Sequence, residues 1–370
     1  MTSPKLYRKK LLSVAIMVVA VIGIVVSIAF LVGWLGGPAH SKAEWYTEAL
    51  TTLETKYNKI QAAIVYHERF ESWAGDWADL RINSSPEALL AYQNAIKSEY
   101  FIGKEGLNIS PENQKILPLV NGCYVGFFPG WGDYEDAVTL QQILDFETLT
   151  NKSVAFVAFS NFWGENYSNS QNLDIIANYG AVPLLRFMPW GDPYWQPYGF
   201  QENYSLQKII NGDFDPFLID WANVIINYGK PVMATFGVEM NGDWFAWSGT
   251  FQGGSTMTDY GDPTKADGPE RYVDAFQHVI EVFNNTGATN ITWYFHPNHE
   301  SWPNETWNSI EAYYPGDDYI DWIGVSVYGP QSRTEEWQSF QVIMDPIYNL
   351  LITKFPNKPL MIPEWGIREP

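Results

Sequence analysis

Residues 231–238 read PVMATFGV, an almost continuous apolar run that is followed directly by Glu239. Six further runs of this kind lie between residue 117 and the end of the chain: 123–128 (CYVGFF), 153–159 (SVAFVAF), 181–187 (AVPLLRF), 290–297 (NITWYFHP), 319–328 (YIDWIGVSVY) and 358–363 (KPLMIP). Near-continuous apolar runs are typical of parallel strands that are buried on both faces. The sequence therefore predicts seven parallel strands.

Helical patterns lie between these runs, and the clearest are at 216–228 and 269–283, where apolar side chains share one face. Alternation of strand and helix predicts a parallel sheet with right-handed crossovers, and about 250 residues suit a TIM barrel. We expect an α/β fold, a (β/α)8 TIM barrel over 117–370 that is truncated after its seventh strand. The alternative is an early eighth strand within 76–116. The same range contains Ser84-Ser85-Pro86-Glu87, a helix-start signal.

The first forty residues predict a membrane anchor. Residues 1–10 carry four basic residues and no acid, and 11–35 contain no charged residue. About 20 apolar residues span a bilayer as a helix, and the basic flank is expected to stay cytoplasmic. We expect a single-pass membrane protein with 1–10 cytoplasmic, 11–35 transmembrane, 41–116 as a helical stalk, and the barrel outside. The alternative is secretion after cleavage of this segment.

The net charge and the aromatic content limit the classes of partner that the chain can bind. The 370-residue chain carries a net charge of −20, and because residues 1–40 contribute +4, the remainder carries −24. Such an acidic surface repels phosphate backbones, so we expect no nucleic-acid partner. The 17 Trp and 22 Tyr suit both a large aromatic core and the binding of sugar rings. A neutral polysaccharide is the partner class that agrees with both features.

Eight Asn-x-Ser/Thr triplets occur, at Asn83, Asn108, Asn151, Asn166, Asn203, Asn284, Asn290 and Asn304. They make surface glycosylation plausible in an organism that performs it. The single cysteine, Cys123, excludes an intrachain disulfide. Cysteine usage therefore says nothing about the compartment.

Glu239 directly follows the apolar run 231–238, and Glu364 directly follows the run 358–363. A tryptophan lies within five residues of each. The active site of a TIM barrel lies at the carboxyl ends of its strands. A buried carboxylate is costly unless it is paired or used. Two carboxylates at one barrel mouth are the arrangement that cleaves glycosidic bonds, and a separation of about 5–5.5 Å corresponds to the retaining mechanism. No cofactor is expected for this chemistry.

Four segments resemble glycoside hydrolase family 26, mainly β-mannanases within the clan of retaining (β/α)8 glycosidases. They are GVEMNGDWFAW (237–247), ITWYFHPN (291–298), YYPGDDYIDWIGVSVYG (313–329) and KPLMIPEWG (358–366). The resemblance, over about 117–370, implies Glu239 as acid/base and Glu364 as nucleophile. It further implies that Tyr328 holds the nucleophile. For substrate binding we name Trp244, Tyr328, Asn298, Trp190 and Trp365.

The chain departs from the family at two positions. Members commonly have His before the acid/base and Arg four residues before it, whereas this chain has Val238 and Thr235. These departures weaken the assignment of the substrate. Three readings stay open: an endo-acting β-1,4-mannanase, a hydrolase of xylan or mixed-linkage glucan, and a noncatalytic carbohydrate-binding surface protein.

Two motifs that suggest a metal have simpler interpretations. His296 and His299 lie three residues apart without a third ligand in the sequence, and we expect them to bind sugar or cap a loop. Asp213-Phe214-Asp215 resembles an Asp-x-Asp site of membrane-anchored glycosyltransferases. It precedes Pro216 at a predicted helix start, where aspartate is a favoured cap. We therefore expect no metal site.

Overall fold

The strands form the wall of a parallel barrel. The computed structural model describes residues 41–194 and 199–370. Its strands are β1 (Ile60–Tyr66), β2 (Arg69–Glu71), β3 (Trp77–Asp79), β4 (Phe101–Ile102), β5 (Cys123–Phe128), β6 (Phe156–Phe162), β7 (Val182–Met188), β8 (Val232–Phe236), β9 (Ile291–Phe295), β10 (Trp322–Gly324), β11 (Val327–Tyr328) and β12 (Leu360–Gly366). The sheet order is β1-β12-β10-β9-β8-β7-β6-β5, and β1 also pairs with β5, which closes the barrel.

Helices cover the outside of this wall. They are α1 (Lys42–Thr55), α2 (Pro86–Ile96), α3 (Leu140–Thr150), α4 (Gln171–Tyr179), α5 (Leu206–Ile210), α6 (Asp215–Tyr228), α7 (Asp267–Thr286) and α8 (Phe340–Lys354). The predicted helices at 216–228 and 269–283 correspond to α6 and α7. The helix start at Ser85 is confirmed, because its side chain accepts a hydrogen bond from the Ala88 N–H at 3.2 Å.

All seven predicted strands are present, and the run at 319–328 is divided into β10 and β11, which both pair with β12. The predicted truncation is wrong, because β1 supplies the eighth position between β12 and β5. This strand also lies outside 76–116, the range of the alternative prediction. The prediction failed because Ile60 and Ile64, both fully buried in β1, continue the helical spacing of the preceding segment.

Residues 41–116 do not form a helical stalk. From Lys42 onward the described chain forms one compact unit. Helix α1 packs on the barrel, where the ring of Trp45 stacks on that of Trp365 with centroids 5.7 Å apart. The Lys42 ammonium donates to the carbonyls of Asp79 and Arg81, both at 2.8 Å, and so fixes the start of α1. Packing against the barrel, not separation from it, defines this segment.

The predicted anchor at 11–35 and its flank at 1–10 lie outside the described residues. Within 41–194 and 199–370, no helix combines the length and apolar character that crossing a membrane requires.

Two short features lie at opposite ends of the barrel wall. β4 pairs with the first residues of β5. β2 and β3 form an antiparallel hairpin directly after β1, on the side where the strands end. The loops on that side surround the cleft described next.

Candidate active site

A cleft of about 1090 Å³ opens at the carboxyl ends of the barrel strands. Glu239 and Glu364 both line it. They follow β8 and lie within β12, respectively, and β9 and β10 separate these strands in the sheet order. The fold therefore brings the two predicted catalytic carboxylates to one cavity from different parts of the wall.

Glu239 is held by the loop that follows β8. Its backbone has a positive φ of 54°, a conformation that is costly for a residue with a side chain, and its N–H donates to the His296 carbonyl at 2.7 Å. Its carboxylate accepts hydrogen bonds from Asn298 Nδ2 at 3.0 Å and from Trp244 Nε1 at 2.9 Å. These contacts aim one buried carboxyl group, 8% exposed, into the cleft.

The motif around Glu239 explains how its partners are positioned. Asn241 donates from Nδ2 to the Asn298 carbonyl and accepts from the Asn298 N–H, both at 2.9 Å, which ties the loops after β8 and β9 together. Gly242 leaves room for the indole of Trp244, because a Cβ there would lie 2.5 Å from the ring. Asn241, Gly242 and Trp244 of this motif therefore each contribute to the packing around the carboxylate.

Burial, and then the negative charge of Glu364, raise the pKa of Glu239 to about 7. The hydrogen bonds from Ser326, Asn298 and Trp244 oppose this rise. Near neutral pH, Glu239 is consequently available as a proton donor.

Glu364 has a different environment, in which a charged partner dominates. Arg186 Nη1 donates to Glu364 Oε1, and the Tyr328 hydroxyl donates to Glu364 Oε2 at 2.8 Å. Arg186 also donates through Nη2 to Glu135 Oε2 at 3.2 Å. All three charged groups are buried, so one guanidinium bridges two carboxylates in the barrel interior.

The pKa of Glu364 follows from this bridge. Burial alone would raise the pKa, but the positive charge of Arg186 and the hydrogen bond from Tyr328 hold it below its ordinary value. Burial raises the pKa of Glu135, and the charge of Arg186 opposes the rise. Of the two carboxylates at the cleft centre, Glu239 therefore favours the neutral form and Glu364 the ionised form.

The structure places three of the five predicted binding residues at the cleft. Trp244, Tyr328 and Asn298 line it. Trp190 and Trp365 do not, and we assign both to the core. The ring of Trp190 packs against Trp247 with centroids 5.3 Å apart, and Trp365 faces α1. Each is 2% exposed or less, because its side chain points to the helices and loops that cover the strands.

The histidines take part in hydrogen bonds around the cleft. His296 Nε2 lies 2.9 Å from Ser326 Oγ, and His299 Nδ1 lies 3.2 Å from the Ser326 carbonyl. Burial lowers the pKa of His296 to about 4. Within the described residues, no group of three or more His, Cys, Asp or Glu side chains is placed to hold a metal ion.

The Asp-x-Asp motif does not reach the cleft. Asp215 begins α6 and pairs with His278 Nε2 at 2.7 Å. The N-cap position is taken by Phe214, which has no side-chain capping bond, so the expected aspartate cap is absent at this described helix start.

Arg186, Glu135, Trp73 and Trp302 are among the residues of the cleft that sequence reasoning missed. Arg186 gave a usable signal, because a charge within the apolar run AVPLLRF requires a buried partner. The side chains of Trp73 and Trp302 are 74% and 55% exposed, although large aromatic rings are usually buried. Glu135 lies in a loop with no periodic pattern, so its place had no sequence signal.

The structure locates Val238 and Thr235, the two positions at which the chain departs from the family pattern. Val238 lines the cleft, and Thr235 is buried in β8. Thr235 is the register partner of Arg186 in β7. The guanidinium that contacts Glu364 therefore comes from the strand beside the one that carries Thr235.

Comparisons with known proteins agree with the motifs. Residues 201–364 match the model of glycosyl hydrolase family 26. Endoglucanase H of Acetivibrio thermocellus is 27% identical over 253 residues, which is 67% of this chain and 25% of that protein. The chain thus spans about a quarter of the length of this relative.

Two solved structures are also similar. The family 26 domain of an endo-β-mannanase/endo-β-glucanase from Prevotella bryantii has a TM-score of 0.45 and 18% identity, over 62% of this chain and 73% of that one. A mannanase from Bacillus subtilis has a TM-score of 0.43 and 17% identity, over 62% and 76%. The matched residues 201–364, somewhat less than half of the chain, contain both predicted catalytic glutamates.

Proposed function

We propose that this chain is an endo-acting, retaining glycoside hydrolase of β-linked polysaccharide, with Glu239 as acid/base and Glu364 as nucleophile. The observation that carries the proposal is the opposite displacement of two pKa values in one cleft, upward to about 7 for Glu239 and downward for Glu364. Paired titratable groups whose environments separate their pKa values are the pattern of an acid and a nucleophile.

The proposed reaction has two steps. Glu239 gives its proton to the glycosidic oxygen while a carboxylate oxygen of Glu364 attacks the anomeric carbon, which forms a glycosyl–enzyme ester. Glu239 then removes a proton from water, and this water attacks the same carbon to release Glu364. Arg186 and Tyr328 each donate to a different oxygen of Glu364, so they orient its carboxylate and keep it ionised between turnovers.

The charges around the cleft favour a neutral polysaccharide. Among the described lining residues, eight are carboxylates, whereas Arg186 supplies the sole permanent positive charge and is already paired with two of them. A polymer of uronic acids would meet repulsion along such a cleft. The exposed indoles of Trp73 and Trp302 offer flat apolar faces on which sugar rings can stack.

Mannan and glucan are the two leading substrates within this class. Family 26 consists mainly of β-mannanases, which favours β-1,4-mannan. The similarity to a protein named as an endoglucanase favours a β-glucan instead. Val238, in the place where the family commonly has histidine, lines the cleft and changes what a bound sugar would contact.

A carbohydrate-binding protein without turnover is the contrasting hypothesis. Val238 and Thr235 replace polar family residues, and such losses are consistent with lost catalysis. The retained pair of glutamates with separated pKa values favours the enzyme. We further propose that residues 11–35 anchor the chain in a membrane with the barrel outside, on the basis of the apolar run and its basic flank.

The test is the release of reducing ends by the full chain from mannan, mixed-linkage β-glucan and xylan. We expect release from mannan or glucan, and none from the Glu364→Gln variant. Glu336→Gln is the matched control, because Glu336 lines the same cleft and is exposed. Binding of one glycan by the folded protein, with no release above the Glu364→Gln level, would contradict the enzyme and support the binding protein.

A further inference from the structure

The eight Asn-x-Ser/Thr triplets are more numerous than composition explains. The chain has 25 asparagines and 40 serines and threonines in 370 residues. Random order would place a hydroxyl residue two positions after asparagine about three times. An excess of this size indicates that the triplets are used, and the structure shows which of them can be.

Seven of the eight asparagines have exposed side chains: Asn83, Asn108, Asn151, Asn166, Asn203, Asn284 and Asn304. By connectivity they are distributed over both ends of the barrel. Asn151 and Asn284 are at the ends of α3 and α7, before the strands β6 and β9, whereas Asn304 is in the loop that contains Trp302. A bulky, hydrated substituent at any of the seven would extend into solvent.

The eighth, Asn290, is 9% exposed and its amide is fully used. Nδ2 donates to the Ile225 carbonyl at 3.1 Å and to the Lys230 carbonyl at 2.8 Å. A side-chain amide has two N–H donors, and N-glycosylation replaces one of them. Asn108 offers a contrast, because it uses one donor, to the Pro118 carbonyl at 3.2 Å, and keeps the second for a substituent.

The hydroxyl of the Asn290 triplet also has a structural use. Thr292 Oγ1 is buried in β9 and accepts a hydrogen bond from the Ile116 N–H at 2.7 Å. Both residues that define this triplet therefore hold β9 to neighbouring segments. The triplet at 290 is explained by packing alone.

We propose that this chain is an N-glycoprotein with acceptor sites at the seven exposed asparagines, and that Asn290 carries no glycan in the folded protein. In the reaction, Nδ2 forms a bond to the anomeric carbon of an oligosaccharide carried on a polyprenyl pyrophosphate. The anomeric C–O bond breaks, the polyprenyl pyrophosphate leaves, and one Nδ2 proton goes to a base. The proposal requires export of the barrel and is independent of its hydrolytic activity.

Folding decides the outcome at Asn290. A glycan added there before folding would remove the donor of one of the two carbonyls that Asn290 contacts, and the sugar would have to fit beneath the surface. A buried acceptor without its partner costs about 1–3 kcal/mol, and the volume of the sugar adds to this. Molecules modified at Asn290 are therefore expected to be lost before export, whereas molecules modified at the other seven sites fold.

The experiment is expression of the full chain in a glycosylating eukaryotic cell, detergent extraction of the exported protein, and enzymatic release of its N-glycans in ¹⁸O-labelled water. Release converts a glycosylated asparagine to labelled aspartate, which peptide mass spectrometry locates. We expect labelled aspartate at the seven exposed positions and unlabelled asparagine at position 290. The substitution Asn151→Gln should remove one glycan from the intact mass, and Asn290→Gln should remove none.

Two results would overturn the proposal. One is labelled aspartate at position 290 in exported protein whose cooperative thermal unfolding shows that it is folded. The other is an absence of glycan from most of the seven exposed sites in that same protein. Neither result depends on whether the protein hydrolyses a polysaccharide, so the two proposals fail separately.

Discussion

The two sides of the cleft treat the same functional group in opposite ways. On one side, Asn298 and Trp244 give Glu239 neutral hydrogen-bond donors. On the other, Arg186 gives Glu364 a full positive charge. Both carboxyl groups are buried to almost the same extent, so burial alone does not distinguish them. Desolvation keeps Glu239 neutral because its neutral donors are too weak to offset it, whereas the charge of Arg186 is strong enough to keep Glu364 ionised.

The strongest test removes each glutamate in turn and then restores activity with azide, which distinguishes the acid/base from the nucleophile. We expect Glu364→Ala to lower kcat on the order of 10⁴-fold or more, and Glu239→Ala to lower it about 10²–10⁴-fold on substrates with a poor leaving group. Azide should rescue the two variants differently when an activated aryl glycoside is the substrate. Glu239→Ala should yield a glycosyl azide of retained configuration, because Glu364 still forms the ester.

The rescue product of Glu364→Ala should have the inverted configuration, because azide then takes the place of the carboxylate. Nuclear magnetic resonance of the anomeric proton identifies both products. The control is Glu336→Ala, which removes an exposed carboxylate from the same cleft. The same product configuration from both variants would refute the assignment of roles.

Stability should show the cost of the Glu239 environment. The pKa of Glu239 is raised by burial, from an ordinary value near 4.5 to about 7, so its charged form destabilises the fold above that range. Glu239→Gln should therefore increase the free energy of unfolding at pH 8, by up to about 3 kcal/mol, relative to its effect at pH 4. The gain should develop between the two pKa values.

Denaturant unfolding of both proteins at pH 4, 6 and 8 measures this difference. Glu364→Gln should show no comparable gain between pH 6 and pH 8, because the pKa of Glu364 is lowered and the stabilisation by its charged form is lost only as the pH falls below the ordinary value. A difference between wild type and Glu239→Gln that does not change with pH would show that the charge of Glu239 costs nothing.

Arg186→Lys tests the charged side of the cleft. Lysine keeps the positive charge but lacks the planar fork that reaches Glu364 and Glu135 together. We expect the pKa of Glu364 to rise, because the ammonium cannot reproduce the contact that the guanidinium makes with this carboxylate. The acidic limb of kcat/KM should consequently move to higher pH, since Glu364 must be ionised to attack.

A pH profile of the full chain and the variant checks this prediction, with thermal unfolding to show that the variant is folded. The matched control is Arg271→Lys, an arginine on α7 that donates to the Gln252 carbonyl away from the cleft. An acidic limb that stays in place in Arg186→Lys would mean that Arg186 does not set the ionisation of Glu364.

The difference between the two sides also explains what the sequence could reveal. Glu239 and Glu364 were found because each lies at the end of an apolar run, and the position of a strand end is encoded locally. Arg186 contacts Glu364 from another strand, and Glu135 contacts Arg186 from a loop, so these contacts depend on the closure of the barrel. The positions of the strand ends in the sequence therefore could not predict these ion pairs.

The fold shows the same limit. β5 was predicted at its observed bounds because CYVGFF is buried on both faces and has no competing pattern. β1 was missed because the apolar residues of IQAAIVY also fit a helix, and only its pairing with β5 and β12 decides between the two. Trp190 and Trp365 were misplaced for a related reason, since a tryptophan near a catalytic glutamate can face either the cleft or the helices.

The smallest expected effect belongs to a single hydrogen bond on the neutral side. Trp244→Phe keeps an aromatic ring at the cleft but removes the Nε1–H that donates to Glu239 Oε2 at 2.9 Å. This bond stabilises the carboxylate form, so its loss should raise the pKa of Glu239 above its present value of about 7. The basic limb of kcat/KM should move upward by about half a unit, with a loss of less than tenfold in the maximum.

Trp302→Phe is the control, because Trp302 lines the cleft without contacting a catalytic carboxylate and should alter KM while leaving the limb in place. A downward movement of the limb in Trp244→Phe would mean that the indole acts on Glu239 mainly by excluding water, and that burial, not the hydrogen bond, is the contribution of this residue.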